Sequence, residues 1–577
     1  MKRRDMIIKS VLGGALISQT NPLNAFGNNS GKNNEKSLIG NALRFPPVFA
    51  NGGTMTLAES NVQVWPGQNT PTISINGSFP GPSVVIQKNS ILTANFVNNY
   101  TDPATIHWHG ISTPEAMDGH PKDSIPPGGN FTYTFPVLNR AGTYFYHSHA
   151  HMHTAKHVYK GFAGFFIVED PDELMFGLPR GSYDVPLCIQ DRRTANIPGM
   201  IYDPVMMDIM HGFLGDTVLV NGTPEPFFEV SKTLYRFRLL NGSNARVYKI
   251  ALSNNQSFHL IGTDGGLIDA PVSVNSLFLS PGERADVLID FSQFNVGDNV
   301  TLKSLQFTAP GSGTYRQGTE MNIIRFDVTG TQSSGGVIPA SFNPITYYNP
   351  ANAKTVRNFT LTMTGGTMER HKINGLSFEM ERIDWETPLN SLEEWKIINA
   401  TDNLHPMHSH GNQFQVYSRN GNTNLPPGDK GWKDTVLLNP FETVRTLVKF
   451  TDYKGIYLYH CHNLEHEDDG MMLNFKIVDP IGINENNEIV ENFELHQNFP
   501  NPFNPETTIK FNLKKDSNVD LTIFDISGKK VETLMNGFNK SGNYNVKYNA
   551  KDLSSGEYVY RLTAGDFSVS KKMTVIK

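Results

Sequence analysis

Cysteine is nearly absent from this chain, because only Cys188 and Cys461 occur among 577 residues. Two cysteines can form at most one disulfide, which excludes a small scaffold stapled by several of them. Positive charge is not in excess either: the formal net charge is -6, so no basic surface for nucleic acid is predicted. Beyond the N-terminal segment no apolar run is long enough to cross a bilayer, and no transmembrane span is predicted.

Turn residues and short β-type runs are abundant instead. The chain contains 50 glycines and 35 prolines, and its aromatic share is 11%. Short segments of Val, Ile, Thr and Phe alternate with these turn residues, which is typical of β-sandwiches and not of helical bundles. A length of 577 residues allows three or four such domains. We therefore predict an all-β fold built from several sandwiches.

The N-terminus has the features of an export signal. Basic residues at positions 2–4 precede an apolar stretch over 11–17, and a small-residue cleavage point follows near Ala25. These features predict a signal peptide over residues 1–27. The paired arginines fit a twin-arginine signal, and a general secretory signal can also begin in this way. Residues 28–44, rich in Asn, Gly, Ser and Lys, are predicted to form a disordered lead-in.

One short stretch in the last quarter of the chain carries five candidate metal ligands: His460, Cys461, His462, His466 and Met471. Two imidazoles, a thiolate and a weak thioether suit a blue-copper site. A β-type run precedes the motif, so Cys461 would point to one face of a strand and its two histidine neighbours to the other. Taken alone, the pattern also fits a cysteine that is merely buried.

Three further histidine motifs decide in favour of metal: His107-Trp108-His109, His147-Ser148-His149 and His405-Pro406-Met407-His408-Ser409-His410. Ten of the 18 histidines lie in the four motifs, which is far from an even scatter. Side chains at i and i+2 of a strand share one face about 6.6 Å apart, so each histidine of a pair suits a different metal ion in a shared cluster. Cys188 then has no partner, and we predict a small buried hydrophobe in a chain without disulfides.

These motifs resemble those of the multicopper oxidases, the family that includes laccases, bilirubin oxidases, bacterial copper-tolerance oxidases and ceruloplasmin-like ferroxidases. The resemblance covers about residues 45–480 and implies three cupredoxin-like β-sandwich domains, at 45–172, 173–350 and 351–480. It also implies four copper ions, one of type 1, one of type 2 and two of type 3, with dioxygen as the electron acceptor. The trinuclear cluster would lie between the first and third domains.

The resemblance also implies a role for each candidate ligand. The type 1 copper would bind His405, Cys461, His466 and, axially, Met471. The type 2 copper would bind His107 and His408. The two type 3 coppers would bind His109, His147 and His460 in one case, and His149, His410 and His462 in the other.

Two acids match positions that the family places near its dioxygen site and proton path, Asp118 and Glu467. Independently of the resemblance, reducing dioxygen to two waters consumes four protons, which a buried cluster must receive through carboxylates or water. The alternative for Asp118 is a turn residue before Gly119. Two other groups are expected to lie outside the copper sites. His151, His153 and His157 are expected to be exposed or in contact with ligands. Met200, Met206, Met207 and Met210 are expected to be apolar filler under a loop, and the alternative is that they offer soft ligands to Cu(I).

The resemblance implies laccase-like oxidation of small phenols or aromatic amines as the first functional hypothesis. The second is oxidation of cuprous or ferrous ions for metal handling. Asn403 stands where the cuprous-oxidase branch has a methionine, which disfavours that hypothesis without excluding it, and Met471 suggests a moderate redox potential. A third hypothesis is a cupredoxin-built structural or division protein that has lost its coppers, and the complete ligand set argues against it.

The amino-acid composition changes after residue 480. Residues 481–494 are predicted to be a linker, and residues 498–508 then read Asn-Phe-Pro-Asn-Pro-Phe-Asn-Pro-Glu-Thr-Thr. The segment 495–577 resembles the C-terminal sorting domain of type IX secretion cargo, a small β-sandwich that the export machinery binds. An ordinary carbohydrate-binding or adhesive β-module is the alternative. The resemblance implies passage through the periplasm, followed by release to the cell surface or the medium.

Overall fold

The structure is a computed structural model that describes residues 40–194, 200–308, 317–332, 335–365, 370–480, 493–539, 541–565 and 567–577. The predicted signal peptide 1–27, most of the predicted lead-in, and residues 481–492 of the predicted linker lie outside these ranges. The chain divides into two compact units, one ending at Val478 and the other spanning Asp479–Lys577. Among the described residues, no helix has the length and apolar character needed to cross a membrane.

The first unit begins with a sandwich of two four-stranded sheets. A short strand that precedes it, β1 (Asn41–Ala42), belongs to a sheet of the second sandwich. The strands and helix of the first sandwich are β2 (Thr54–Val62), β3 (Thr70–Ile75), β4 (Val84–Gln87), β5 (Ile91–Asn98), β6 (Ile106–His109), β7 (Asn130–Pro136), β8 (Gly142–Ser148), α1 (Thr154–Lys160) and β9 (Ala163–Glu169). One sheet has the order β3-β2-β5-β7 and the other β4-β9-β8-β6. Strand β5 shows why these segments form strands: Leu92, Ala94 and Phe96 alternate with more exposed residues, so one face packs on the core.

The second sandwich contains most of the longest strands of the first unit. Its elements are β10 (Asp184–Arg192), α2 (Met206–His211), β11 (Thr217–Val220), β12 (Thr223–Pro224), β13 (Pro226–Ser231), β14 (Leu234–Asn241), β15 (Tyr248–Leu252), β16 (Phe258–Thr263), β17 (Gly266–Val274), β18 (Leu277–Leu279), β19 (Arg284–Asp290), β20 (Asn299–Ser304) and β21 (Met321–Gly330). The sheet orders are β1-β13-β21-β20-β15-β18 and β12-β11-β10-β14-β19-β16-β17.

The third sandwich carries the Cys461 motif. Its elements are β22 (Thr355–Met363), β23 (His371–Ile373), β24 (Trp385–Pro388), β25 (Leu392–Asn399), β26 (His405–Ser409), β27 (Phe414–Arg419), β28 (Thr435–Leu438), β29 (Thr443–Lys449), β30 (Gly455–Cys461), α3 (Leu464–Asp468) and β31 (Met472–Val478). The sheet orders are β23-β22-β25-β29-β27 and β24-β31-β30-β26-β28. Met407, Cys461 and Met471 belong to the apolar core between these sheets, together with Trp395.

The second unit is a smaller pair of sheets. Its strands are β32 (Glu494–Leu495), β33 (Glu506–Leu513), β34 (Ser517–Asp525), β35 (Lys530–Asn539), β36 (Gly542–Asn549), β37 (Gly556–Ala564) and β38 (Phe567–Val575), in the orders β32-β33-β36 and β35-β34-β37-β38. Ile509, Leu521 and Leu562 lie in a core of its own. Tyr560 donates its hydroxyl to the carbonyl of His496 (2.8 Å), which fixes the start of the proline-rich segment. The prediction of an all-β fold is confirmed.

The end of the predicted lead-in is ordered, contrary to expectation. Asn41 and Ala42 form β1, which pairs in parallel with Pro226 and Phe227 of the second sandwich. Arg44 then donates to the carbonyl of Val64 (3.1 Å) and to that of Gly222. Polar composition suggested disorder, but backbone pairing and a guanidinium with three carbonyl partners, including that of Gln63, fix this segment.

Candidate metal centre

The first and third sandwiches present their histidine pairs on neighbouring antiparallel strands. His107 on β6 lies opposite His147 on β8. In the third sandwich, His408 on β26 lies opposite His460 on β30. Because side chains two residues apart share a face, each strand directs two imidazoles to the same side. Every histidine of these four pairs is buried, with at most 3% of its surface exposed.

Ring nitrogens from the two sandwiches converge at three places. His107 Nε2 lies 3.4 Å from His408 Nε2. A second group, the backbone-held group, consists of His109, His147 and His462: His147 Nε2 lies 3.4 Å from both His109 Nδ1 and His462 Nε2. A third, the acid-backed group, consists of His149, His410 and His460: His460 Nε2 lies 3.3 Å from His149 Nε2 and 3.1 Å from His410 Nε2.

These groups correct the assignment of two histidines. The family resemblance implied that His460 binds one copper with His109 and His147, and that His462 binds another with His149 and His410. The structure exchanges them, because β26 and β30 are antiparallel and His408 is paired with His460. His410 therefore lies beyond His460 along the ladder, at the end away from His462.

The outward-facing nitrogens of the acid-backed group face two carboxylates. His410 Nδ1 donates to Asp118 Oδ2 (2.7 Å). The Glu467 carboxylate lies 3.2 Å from His460 Nδ1 and 3.5 Å from His149 Nδ1. Asp118 follows a short 3₁₀ turn, and its backbone carbonyl also accepts from His107 Nδ1 (2.8 Å). The two acids named from the sequence therefore both touch candidate ligands, and Asp118 is more than a turn residue.

Backbone carbonyls and the Asp434 carboxylate hold three of the other rings. His147 Nδ1 donates to the carbonyl of Ser148 (2.9 Å), and His408 Nδ1 to that of Asp434 (2.8 Å). His109 uses the opposite edge of its ring, with Nε2 3.0 Å from Asp434 Oδ1. Partners on the far nitrogen fix which nitrogen carries the proton, so the inward nitrogen keeps its lone pair.

Burial keeps these imidazoles neutral. It lowers the pKa of His107, His109 and His149 well below the ordinary value of 6.5, and it lowers the pKa of His147 to about 4. Neighbouring imidazoles lower the pKa of His149 further. Neutral lone pairs that converge within 3.1–3.4 Å have no proton to share, and a bound cation resolves their repulsion. The donor set therefore fits transition-metal ions, for which neutral imidazole is a common ligand.

A further group contains the thiol. Cys461 Sγ lies 3.5 Å from His405 Nδ1 and 3.7 Å from His466 Nδ1, and these two nitrogens are 3.3 Å apart. His405 Nε2 donates to Thr401 Oγ1 (2.8 Å), which leaves Nδ1 free to bind a metal. Burial raises the pKa of the Cys461 thiol above its ordinary value, so its thiolate form requires a cation beside it. Met471 is buried in the same core, and its carbonyl accepts from Cys461 N (3.0 Å).

Cys461, His405 and His466 are called the thiolate group below. Helix α2 of the second sandwich lies against it. The carbonyl of Met210 accepts from His466 Nε2 (3.2 Å), and Asn403 Nδ2 donates to the same carbonyl (3.0 Å). Met206 and Met207 on this helix are 46% and 44% exposed. Of the four methionines expected to be filler, Met200 is buried in an apolar cluster, whereas Met206 and Met207 are exposed.

Two residues near the candidate ligands were missed by the sequence analysis. The His371 ring stacks on the His466 ring with centroids 3.8 Å apart, and Asp434 contacts both His109 and His408. His371 is isolated in the sequence, and Asp434 lies in a Trp-Lys-Asp-Thr segment without a metal-binding pattern. Local spacing therefore carried no signal for either residue.

The histidines after the second motif lie outside the three cluster groups. His157 is buried, not exposed: its Nδ1 lies 2.8 Å from Ser148 Oγ and its Nε2 3.2 Å from Asp102 Oδ2. Lys156 Nζ lies 2.6 Å from the same carboxylate oxygen, so that carboxylate already has a cationic partner. Cys188 is free and buried as predicted, and so is Cys461, so the chain has no disulfide.

Comparisons with known proteins agree with this geometry. Sequence models described as "Multicopper oxidase" match residues 56–173, 204–326 and 350–480, and one described as "Secretion system C-terminal sorting domain" matches residues 497–577. A laccase from Bacillus subtilis (strain 168) is 33% identical over 470 residues, which cover 70% of this chain and 90% of the laccase.

Solved structures are similar as well. The multicopper oxidase McoA from Aquifex aeolicus aligns with a TM-score of 0.69 at 35% identity, covering 76% of this chain and all of McoA (100%). A multicopper oxidase from Campylobacter jejuni, described as a metallo-oxidase, aligns with a TM-score of 0.67 at 28% identity over 76% of this chain and 95% of that protein.

The fold, the four buried histidine pairs and the thiol group together define a multicopper oxidase, and the chain belongs to that family. It is a copper-dependent oxidoreductase of cupredoxin-like fold, and its second unit is a C-terminal sorting domain of the kind that directs type IX secretion.

Proposed function

We propose that the chain couples one-electron oxidation of small phenols or aromatic amines to the four-electron reduction of dioxygen to water. Four copper ions would be held by the candidate ligands. The type 1 ion would take the thiolate group with Met471, the type 2 ion His107 and His408, and the type 3 ions the backbone-held and acid-backed groups. The completeness of this buried donor set is the observation that carries the proposal. When bound, the coppers would supply the electron transfer and the binding of dioxygen.

The protein contributes a short covalent route between the two kinds of site. Cys461 belongs to the thiolate group, and its chain neighbours His460 and His462 belong to the acid-backed and backbone-held groups. Strand geometry sends the Cys461 side chain to one face and both imidazoles to the other. Electrons that enter near His466 can therefore pass from the Cys461 side chain into the backbone. From there they reach either neighbouring imidazole, His460 or His462, without leaving the strand.

Asp118 and Glu467 are the proposed proton carriers. Burial raises the pKa of Asp118 well above its ordinary value of 3.8, which favours the protonated form of its carboxyl group. Neither oxygen of Glu467 has a well-directed hydrogen-bond partner among the described residues. Both acids touch the acid-backed group, so protons would be delivered at one side of the cluster.

A second candidate function is oxidation of cuprous or ferrous ions. Met206 and Met207 expose their side chains on the helix whose carbonyl contacts His466, and thioethers are soft ligands that suit Cu(I). The similarity to the Campylobacter jejuni metallo-oxidase also supports this candidate. The laccase-like function remains first because no methionine occupies position 403, and because the laccase relative covers most of the chain.

Oxygen uptake by the copper-loaded protein tests the two candidates. A panel of phenols, aromatic amines, Cu(I) and Fe(II) is compared by kcat/KM. We expect the highest value for a phenol or aromatic amine, and a Met206→Leu, Met207→Leu double variant should leave that value unchanged. If kcat/KM is highest for Cu(I) and falls in the double variant, the metal-ion function replaces the laccase-like one.

Copper analysis addresses the third hypothesis, a structural or division protein without coppers. We expect about four copper ions per chain after loading, as the donor set requires. A properly folded chain that binds none would favour the structural role. For localisation, the sorting domain supports export, and we propose transit through the periplasm followed by display on the cell surface or release.

A further inference from the structure

Arg284, the first residue of β19 in the second sandwich, is bonded to all three sandwiches. Its side chain is fully buried. Nε donates to the carbonyl of Thr143 in the first sandwich (3.0 Å). Nη1 donates to the carbonyl of Gly282 (2.6 Å) and Nη2 to that of Asp264 (3.0 Å), both in the second sandwich. The two remaining N–H groups bind the two carboxylate oxygens of Asp434 in the third, one at 2.7 Å. All five donors of the guanidinium are thus used.

Asp434 passes this constraint to two candidate copper ligands. Its Oδ1 accepts from His109 Nε2 (3.0 Å), and its backbone carbonyl accepts from His408 Nδ1 (2.8 Å). One ring comes from the first sandwich and the other from the third. A shift of Asp434 would therefore tilt imidazoles on both sides of the cluster.

The turn before Arg284 also touches the cluster. Gly282 has a φ of +80°, and a Cβ there would lie 3.0 Å from His462 Cδ2 and 3.1 Å from His109 Cε1. Because Arg284 Nη1 binds the Gly282 carbonyl, the arginine also fixes the turn that covers these two rings. No side chain larger than hydrogen fits without moving an imidazole.

Arg284 belongs to a buried network of two cations and three carboxylates. Lys433, next to Asp434, places Nζ 2.9 Å from Glu283 Oε1 and 3.1 Å from Asp264 Oδ2. Arg284 and Lys433 therefore face three carboxylates, those of Asp264, Glu283 and Asp434, in a buried network. Pairing with the guanidinium keeps Asp434 an acceptor with both oxygens fixed. This differs from Asp118 and Glu467, which face no lysine or arginine within ion-pair distance among the described residues.

We propose that Arg284 is a positioning residue for the trinuclear copper cluster, acting through Asp434 and Gly282 on His109, His408 and His462. The second sandwich supplies none of the candidate ligands, and this contact gives it a part in the site. The inference rests on the proposed copper cluster. Lysine cannot replace the arginine, since an ammonium has three donors and lacks the planar fork that binds both carboxylate oxygens.

The test compares Arg284→Lys with Arg419→Lys in the full-length, copper-loaded protein. Arg419 is a matched control because it is an arginine of low exposure that binds two carboxylates, Asp429 and Glu442, and touches no candidate ligand. The measurements are copper per chain, the blue absorption of the type 1 site, the EPR spectrum of the type 2 copper, and kcat and KM for reductant and for dioxygen.

We expect Arg284→Lys to keep the blue absorption and the KM for reductant. Its type 2 EPR spectrum should change, and kcat should fall about tenfold or more, as for other residues that orient metal ligands. Arg419→Lys should match the wild type in every measurement. The proposal is overturned if the two variants have the same type 2 spectrum and kcat. If Arg284→Lys loses blue absorption and type 2 signal in equal proportion, the variant is generally misfolded, and a second variant is needed.

If Arg284→Lys does not fold, Gly282→Ala decides, because it keeps the arginine and instead strains the turn that the arginine holds against His109 and His462. An altered type 2 spectrum with unchanged blue absorption supports the proposal, and a wild-type spectrum overturns it. A wild-type chain that binds no copper refutes the proposed function itself, and with it the proposal. That result is seen before any variant is compared.

Discussion

Mild acid should destabilise the copper-free protein, because burial lowers the pKa of most of its motif histidines. Nine of the ten have a lowered pKa in the folded chain: His107, His109, His147, His149, His405, His408, His410, His462 and His466. As the pH falls through the ordinary value of 6.5, the unfolded chain takes up protons at these positions and the folded chain does not. Stability is therefore present above about pH 6.5 and lost below it.

The size of the stability loss follows from the pH range and from the number of histidines that stay neutral in the folded chain. Each such histidine removes about 1.4 kcal/mol from the free energy of unfolding between about pH 7.5 and about pH 5.5. If only a third of the nine stay neutral once water enters the empty sites, the loss is about 4 kcal/mol. That is a large part of the roughly 5–15 kcal/mol that stabilises a typical domain. Bound copper should reduce the loss at moderately low pH, since protons must displace the metal first.

Urea unfolding followed by tryptophan fluorescence measures this effect. The copper-free protein is compared at about pH 7.5, 6.5 and 5.5, together with His149→Gln and His259→Gln. His149→Gln removes one buried imidazole and should reduce the pH dependence by about 1.4 kcal/mol over this range. His259, which is partly exposed in the second sandwich and is not a candidate ligand, is the control position. An unfolding free energy that varies by less than about 1 kcal/mol between the extremes would refute the argument.

Four further outcomes are expected. Cys461→Ser should remove both the blue colour and the oxidase activity, and a colourless wild type with copper bound would contradict the type 1 assignment. His408→Ala should keep the colour in absorption spectra while stopping oxygen uptake, so wild-type turnover would refute its place in the cluster. Asp118→Asn should slow reoxidation by dioxygen about 10- to 100-fold in stopped-flow traces, and equal slowing of reduction by substrate would indicate a structural role instead. A chain ending near residue 480 should stay blue and active in vitro, because the second unit has its own core, yet it should remain in the periplasm of the native host; surface display of that truncated chain would count against the sorting role.

Local patterns were sufficient to predict the strands and the candidate ligands. Alternation along segments such as Leu92, Ala94 and Phe96 marks a buried face, and His-x-His spacing marks imidazoles on one side of a strand. What they could not fix was pairing across strands. His460 and His462 were exchanged because the register of β26 against β30 is set by the packed sheet and not by either motif.

Contacts distant in sequence were likewise out of reach. Arg284 and Asp434 are 150 positions apart, and His371 reaches His466 only because β23 packs beside α3 and α2. Neither pair has a sequence spacing that a motif could record. The ordered Asn41–Ala42 strand is a third example, since its partner Pro226 lies far along the chain in the second sandwich. Composition alone described that segment as a polar lead-in.

The division of the imidazoles between the first and third sandwiches has a consequence for inheritance. His107 and His408 share one site although more than half the chain separates them, so a recombination event that replaces either sandwich with an unrelated one destroys the site at once. The first and third sandwiches must therefore be inherited together for the site to persist. The Asp479–Lys577 unit contributes no candidate ligand and is free of that constraint. This sorting domain can be replaced by another secretion signal during evolution while the oxidase stays intact.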